Sequence, residues 1–330
     1  MRRAPARLLA LAGLAALALI AGCTGSPQAP RSTTVKPAPR PVALGIPAPE
    51  PEAPVVPSQR SRDLERYYAR LQRDQIARGL LRTDGGGPDT PYTSDMLIRH
   101  FESIALEEEY ERGQGLRPAS ADAGLGPVKK WVKPVRMTVE FGDNVPAAKR
   151  STDLAAVSDY AARLGRITGH PVSMVPRGAN FYILVMSEDD ADTIAPRIRE
   201  IVPDADPASL RLFDSLPRSI HCLVIAFADQ RGGYEYGQAI AVIRSEHPDL
   251  LRLSCIHEEV AQGLGLADDS PQARPSIFND DDEFALLTSL DELLLQMLYD
   301  PALRPGMSPE EARPIYTQKA RELMGETGEG

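Results

Sequence analysis

The sequence predicts an α/β (α+β) fold: a mixed sheet, a polar helix behind it late in the chain, a C-terminal helix, and a helical hairpin ahead of the sheet. Three observations predict it. Short apolar runs, "NFYILVMS", "SIHCLVIAFA" and "GQAIAVIR", are spaced along the chain and bounded by Gly, Pro, Asn or Asp. Segments of helical period lie between and after them. Hydrophobic residues make up 42% of 330, enough to bury a sizeable core, and no internal repeat divides the chain.

The first elements lie outside that fold. Arg2, Arg3 and Arg7 precede "LLALAGLAALALIAGC", an apolar run too short for a membrane span and typical of an export signal over residues 1–22. Its end, Ile20-Ala21-Gly22-Cys23, resembles the lipobox of bacterial lipoproteins, which makes Cys23 the expected lipidation site. The chain is therefore expected at the cell envelope, lipid-anchored and facing the periplasm. Thr24 in place of Asp after the cysteine favours the outer membrane. Residues 24–60 carry ten of the 30 prolines. Such a segment cannot pack a core, so residues 23–60 are expected to be an extended tether, reaching on the order of 100 Å.

Residues 61–125 are expected to form the hairpin. In "RDLERYYARLQRDQIARG", Leu64, Tyr67, Tyr68, Leu71 and Ile76 recur at helical spacing up to Gly79. Thr93 or Ser94 then caps a second helix with Leu97, Phe101, Ile104 and Ala105 on one face. "EEEY" at 107–110 reads as a solvated helix end.

Residues 126–330 hold the α/β domain. "WVKPVRMTVEFG" alternates as a strand; "STDLAAVSDYAARLGRITGHP" has a Ser-Thr-Asp cap, a stripe of Leu154, Val157, Ala161 and Leu164, and a stop at Gly169 and Pro171. The strand "NFYILVMS", the helix "DADTIAPRIREIV", and the strands "SIHCLVIAFA" and "GQAIAVIR", joined by "DQRGGYEYG", follow. A helix is expected from about Leu250 to Gly265, then a loop, then a helix in "DEFALLTSLDELLLQMLYDP". "NDDDE" at 279–283 reads as acid capping that helix, with calcium binding as the sharper alternative. Ser308-Pro309-Glu310-Glu311 is a capping box for a last helix.

Charge narrows function. The formal net charge is −9 with dispersed cations, which excludes a nucleic-acid binder that needs a basic face. With Cys23 lipidated, Cys222 and Cys255 remain, the natural pair for a disulfide in an exported protein.

The late helix carries "CIHEEVAQGLGLADD". A zinc-protease helix needs two histidines four residues apart with a glutamate between them. The five histidines, at 100, 170, 221, 247 and 257, contain no such pair, and Ala261 stands four residues after His257. A frame one residue later puts Glu258 and Gln262 at the ligand positions, Glu259 at the general base, Gly265 at the helix-ending glycine and Asp268 at a third ligand. Cys255, Glu258, Glu259 and Gln262 then share one face, and Leu253, Ile256, Val260 and Leu264 another. His257 reads as a hydrogen-bonded or surface residue rather than a ligand; whether His221 points inward is left open.

This helix, with "LADDSPQARPSIFNDDDEFALLTSLDELLLQMLYDP" and "LRPGM", resembles domain of unknown function 2927, found in lipoprotein-type bacterial proteins, over roughly residues 80–315. Its helix is similar to a degenerate zincin helix, which implies a zincin-like fold and leaves activity unassigned. Here Asp268-Asp269 stand where relatives often have Asn-Asp. Two functions are therefore expected in turn. The first is a non-catalytic binding or scaffold module for a periplasmic protein or cell-wall partner, without a cofactor. The second is a metal-dependent hydrolase in which Glu258, Gln262 and Asp268 hold a divalent ion and Glu259 is the catalytic base. Oxygen donors suit calcium, magnesium or manganese better than zinc.

Overall fold

The structure, a computed structural model, describes residues 56–107, 124–205, 210–211, 213 and 216–326. The expected export signal, Cys23, the tether up to residue 55 and most of "EEEY" lie outside the described residues. The elements in chain order are α1 (Gln59–Ala77), α2 (Ser94–Ala105), β1 (Val135–Phe141), α3 (Ala147–Thr168), β2 (Val172–Met174) and β3 (Phe181–Met186). After a 3-10 turn at Glu188–Asp190 come α4 (Ala191–Ile201), β4 (Cys222–Ala228), β5 (Tyr236–Arg244), α5 (Asp249–Gln262), α6 (Ser289–Leu298) and α7 (Pro309–Leu323).

The strands form one sheet in the order β2-β1-β3-β5-β4. The β1–β2, β1–β3 and β3–β5 pairs are parallel, and β4 runs antiparallel to β5 on the outside. The mixed α/β architecture is the expected class. β2 was not foreseen, because three residues are too few to show alternation.

Strand alternation divides the apolar residues between two cores. Phe181, Ile183 and Val185 of β3, with Ala239, Ala241 and Ile243 of β5, face a core closed by Trp131, Leu164, Ile256, Val260 and Leu294. Leu184, Met186, Ile240 and Val242 face the other way, against Ile194, Ala195 and Ile198 of α4. Burial on both faces explains why the central strands read as unbroken apolar runs.

Several local expectations change. α3 starts at Ala147 behind Pro146, ahead of the expected cap, and Leu154 is 45% exposed. Its buried stripe is Asp153, Val157, Tyr160, Ala161 and Leu164, because Asp153 turns inward to accept from the buried Arg252 Nε at 2.8 and 2.9 Å. α1 and α2 also dock on different partners. α2 lays Leu97, Phe101 and Ile104 against α6 and α7, with Phe101 and Tyr316 ring centroids 5.0 Å apart. α1 is held by polar anchors: Ser61 Oγ donates to Glu246 Oε1 at 2.8 Å, Tyr68 Oη to the Arg218 carbonyl at 2.9 Å, and Gln72 Oε1 accepts from Leu251 N at 3.0 Å. Ile76, expected on its apolar face, is 49% exposed.

The acidic run "NDDDE" does not cap α6. Thr288 and the buried Asp291 form that cap, while Glu283 takes Arg82 and Arg274, and Asp282 takes Gln75 Nε2. The Ser308–Glu311 capping box opens α7 as expected.

Candidate functional site

The predicted site residues lie on and after α5, which packs against α3, β4 and β5. Pro248 and Asp249 open the helix, and two glycines fix how it closes. A Cβ on Gly263 would stand 2.5 Å from Cζ of Phe181, so this glycine lets the helix end touch the sheet. Gly265 has φ 123°, and a Cβ there would meet Leu298 Cδ2 at 2.8 Å and the Lys129 carbonyl at 2.9 Å. Trp131 Nε1 donates to the Gly263 carbonyl at 2.9 Å and Tyr299 Oη to the Leu264 carbonyl at 2.8 Å, satisfying acceptors that the finished helix leaves over. The "GLGL" stretch is thus explained by packing and backbone geometry.

α5 does not divide cleanly into a core face and an open site face. Cys255, Glu259 and Gln262 are buried together with Ile256, Val260 and Leu264, whereas Leu253 and Glu258 are half-buried. The expected disulfide is present: Cys222 and Cys255 are bonded, tying β4 to α5. Cys222 Sγ and one carboxylate oxygen from each of Glu258 and Glu259 lie within 4.8 Å of one another. Among the described residues this is the one group of three acidic, thiol or imidazole side chains drawn together in this way.

The other expected ligands are placed differently. Gln262 Nε2 donates to Asp269 Oδ1 at 3.2 Å. Asp268 N donates to the Ile104 carbonyl at 3.1 Å, fastening the loop to α2, and Asp268 Oδ1 accepts from Asp269 N at 3.0 Å. Asp268 does not join the Cys222–Glu258–Glu259 group. Asn279 donates from Nδ2 to the Ala273 carbonyl at 2.7 Å.

His257 is turned to the core. Its ring stacks on Tyr160 with centroids 4.0 Å apart, and its Nδ1 accepts from Leu287 N at 3.2 Å. Tyr160 Oη closes the contact by donating to the His257 carbonyl at 2.9 Å. Burial pushes the imidazole down to about 3, so the ring is neutral with its hydrogen on Nε2. A zinc centre of the protease kind does not fit these side chains. His257 is engaged by Leu287 and Tyr160, Ala261 is buried one turn on and offers no donor, and Gln262 turns its Nε2 to Asp269.

Three aromatic rings gather by the disulfide: His221, whose direction the sequence left open, Tyr68 of the α1 apolar face, and His247, to which the sequence gave no role. His247 is fully buried, with Nδ1 3.7 Å from Cys255 Sγ and its ring edge-on to Tyr68 at 4.3 Å. His221 completes the group, 5.6 Å from Tyr68 and 5.9 Å from His247 between ring centroids. Burial lowers both imidazoles below their ordinary value, His247 far below it. Tyr68 lies on α1, His247 in the turn between β5 and α5 and His221 just before β4, and no local spacing in the sequence connects them.

Two cavities of about 310 Å³ lie elsewhere. One sits at the carboxyl ends of β3 and β5 beside Glu188 and Arg244, the other between α3 and α5 beside Asp153 and Arg252. Neither is lined by Glu258, Glu259, Gln262 or Asp268. No described helix is long and apolar enough to cross a membrane.

Residues 94–318 match the family model described as "Protein of unknown function (DUF2927)". No curated protein and no solved structure matches the chain.

Proposed function

The chain belongs to the DUF2927 family, and from that premise we propose that it is a non-catalytic binding module, lipid-anchored at Cys23 and presented to the periplasm, on a zincin-like scaffold that has lost its catalytic metal site. The observation that carries this reading is the placement of His257. The imidazole next to Glu258 in sequence is neutral, stacked on Tyr160 and hydrogen-bonded to Leu287, so it neither ligates nor shuttles protons. A fold alone implies no activity; the chemistry must come from the side chains.

The outer strand β4 supports a binding role. Its sequence, "CLVIAFA", has no charge or proline, the usual devices that blunt a sheet edge. Among the described residues no strand pairs with its outer side. An extended segment of a partner protein fits there by strand addition, next to Glu258.

The deciding experiment uses the oxidised protein. Metal content is measured after purification without added metal, and turnover is followed on a mixed peptide library, beside a Glu259→Gln control. The binding reading expects substoichiometric metal and equal, background cleavage from both proteins. Stoichiometric metal together with cleavage lost in the control would overturn it in favour of the hydrolase.

A further inference from the structure

The disulfide lies where a metal ligand would lie. Cys255, Glu258 and Glu259 occupy positions i, i+3 and i+4 of α5 and share one side of the helix. Across from them, Cys222, Val224 and Ala226 of β4 pack on the same core, which carries Cys222 Sγ to within 4.8 Å of an oxygen of both glutamates. While the sulfurs are bonded, Cys222 offers no thiolate and this group cannot hold a metal.

We propose that reduction of the Cys222–Cys255 disulfide unmasks a divalent metal site in which the Cys222 thiolate and the Glu258 and Glu259 carboxylates bind zinc. One sulfur and two oxygens are a donor set zinc accepts, and three protein ligands leave a fourth position for water. Tetrahedral zinc spaces its ligand atoms roughly 3 to 4 Å apart, so donor atoms that already lie within 4.8 Å of one another need close by only about an ångström. This goes beyond the oxidised binding module and does not depend on it.

The surroundings suit cleavage of the bond. Cys222 is half-buried on the outermost strand, whereas Cys255 is 2% exposed. A dithiol reductant therefore attacks Cys222 Sγ, and Cys255 leaves as the thiolate and takes a proton from solvent. The second thiol of the reductant then resolves the mixed disulfide. Two electrons and two protons pass to the protein, giving two thiols, and the dithiol ends as its own disulfide. His247 Nδ1 stands 3.7 Å from Cys255 Sγ, and its other nitrogen, Nε2, has no hydrogen-bond partner. The imidazole is thus placed to accept the new Cys255 S–H without breaking an existing bond. Zinc then displaces the Cys222 proton to bulk water.

The test uses the full chain, reduced with a phosphine because dithiols compete for zinc. Each phosphine takes oxygen from water as it reduces one disulfide. Zinc alone, and cobalt(II) alone as a coloured probe, are added; free metal is removed, and bound metal and circular dichroism are measured. Reduced wild type should retain one equivalent of metal and show a sulfur-to-cobalt charge-transfer band, and oxidised wild type neither. Cys255→Ser, which frees Cys222 permanently, should bind without reductant. Cys222→Ser, which lacks the same bridge, should lose the band, and Glu258→Gln or Glu259→Gln should weaken binding at least tenfold. Retention by Cys222→Ser equal to that of Cys255→Ser overturns the proposal. So does a reduced wild type that keeps its native dichroism and holds no metal, or one that loses that dichroism, since the site requires the fold.

Discussion

His257 shows how one residue can carry a misleading signal. The letters His-Glu announce a metalloprotease, yet the ring is a core aromatic whose Nδ1 accepts a backbone N–H. Its titration gives a test. The folded value of about 3 lies below the ordinary 6.5, so between the two the unfolded chain binds more protons. The stabilising term is therefore complete above pH 6.5 and is lost as pH falls toward 3. This one group should cost about 2 kcal/mol of stability between pH 7 and pH 5. Buried Asp153, Glu246 and Asp291 have raised values and act in the opposite sense, so a difference measurement is needed. Urea unfolding at both pH values should show wild type losing about 2 kcal/mol more than His257→Gln; parallel losses would contradict the assignment.

At the scale of the element, α5 depends on how it ends. Gly265 needs a positive φ and also has a carbonyl where a side chain would begin. Gly265→Ala should cost about 2 to 4 kcal/mol, combining backbone strain with overpacking. Gly169, at the end of α3, has a φ of 65° and nothing within 4 Å of a Cβ, so Gly169→Ala should cost only about 1 kcal/mol. Thermal unfolding of the pair separates the two causes, and equal losses would show that the clash at Gly265 is relieved. The disulfide acts on the same element. Closing a loop over a sequence separation of 33 should contribute about 3 to 4 kcal/mol. Cys255→Ser should lower the urea midpoint accordingly while leaving a folded protein.

For the whole molecule, the proposed envelope location rests on Cys23 and the apolar run before it in the sequence. Cys23→Ala should move most of the protein from the membrane fraction to the soluble or unprocessed pool, read by fractionation and by loss of the lipid mass increment. Unchanged membrane association and mass would remove the anchor. The sequence by itself determined the α/β class, most helices and strands, the Ser308–Glu311 capping box, the terminating glycines and the Cys222–Cys255 pair. Each of these depends on local periodicity, on backbone chemistry or, for the cysteines, on the shortness of the list of thiols. Only the tertiary structure decided which way each polar group points. α5 is buried nearly all round, so spacing could put Glu258, Gln262 and Asp268 near one another but could not tell that Gln262 would take Asp269 or that Asp268 would fasten to α2. The same holds for α3, where a buried ion pair with Arg252 outweighed the apolar stripe through Leu154. Partners that lie far apart in sequence leave no mark on local pattern, and in a close-packed interior they settle which groups meet.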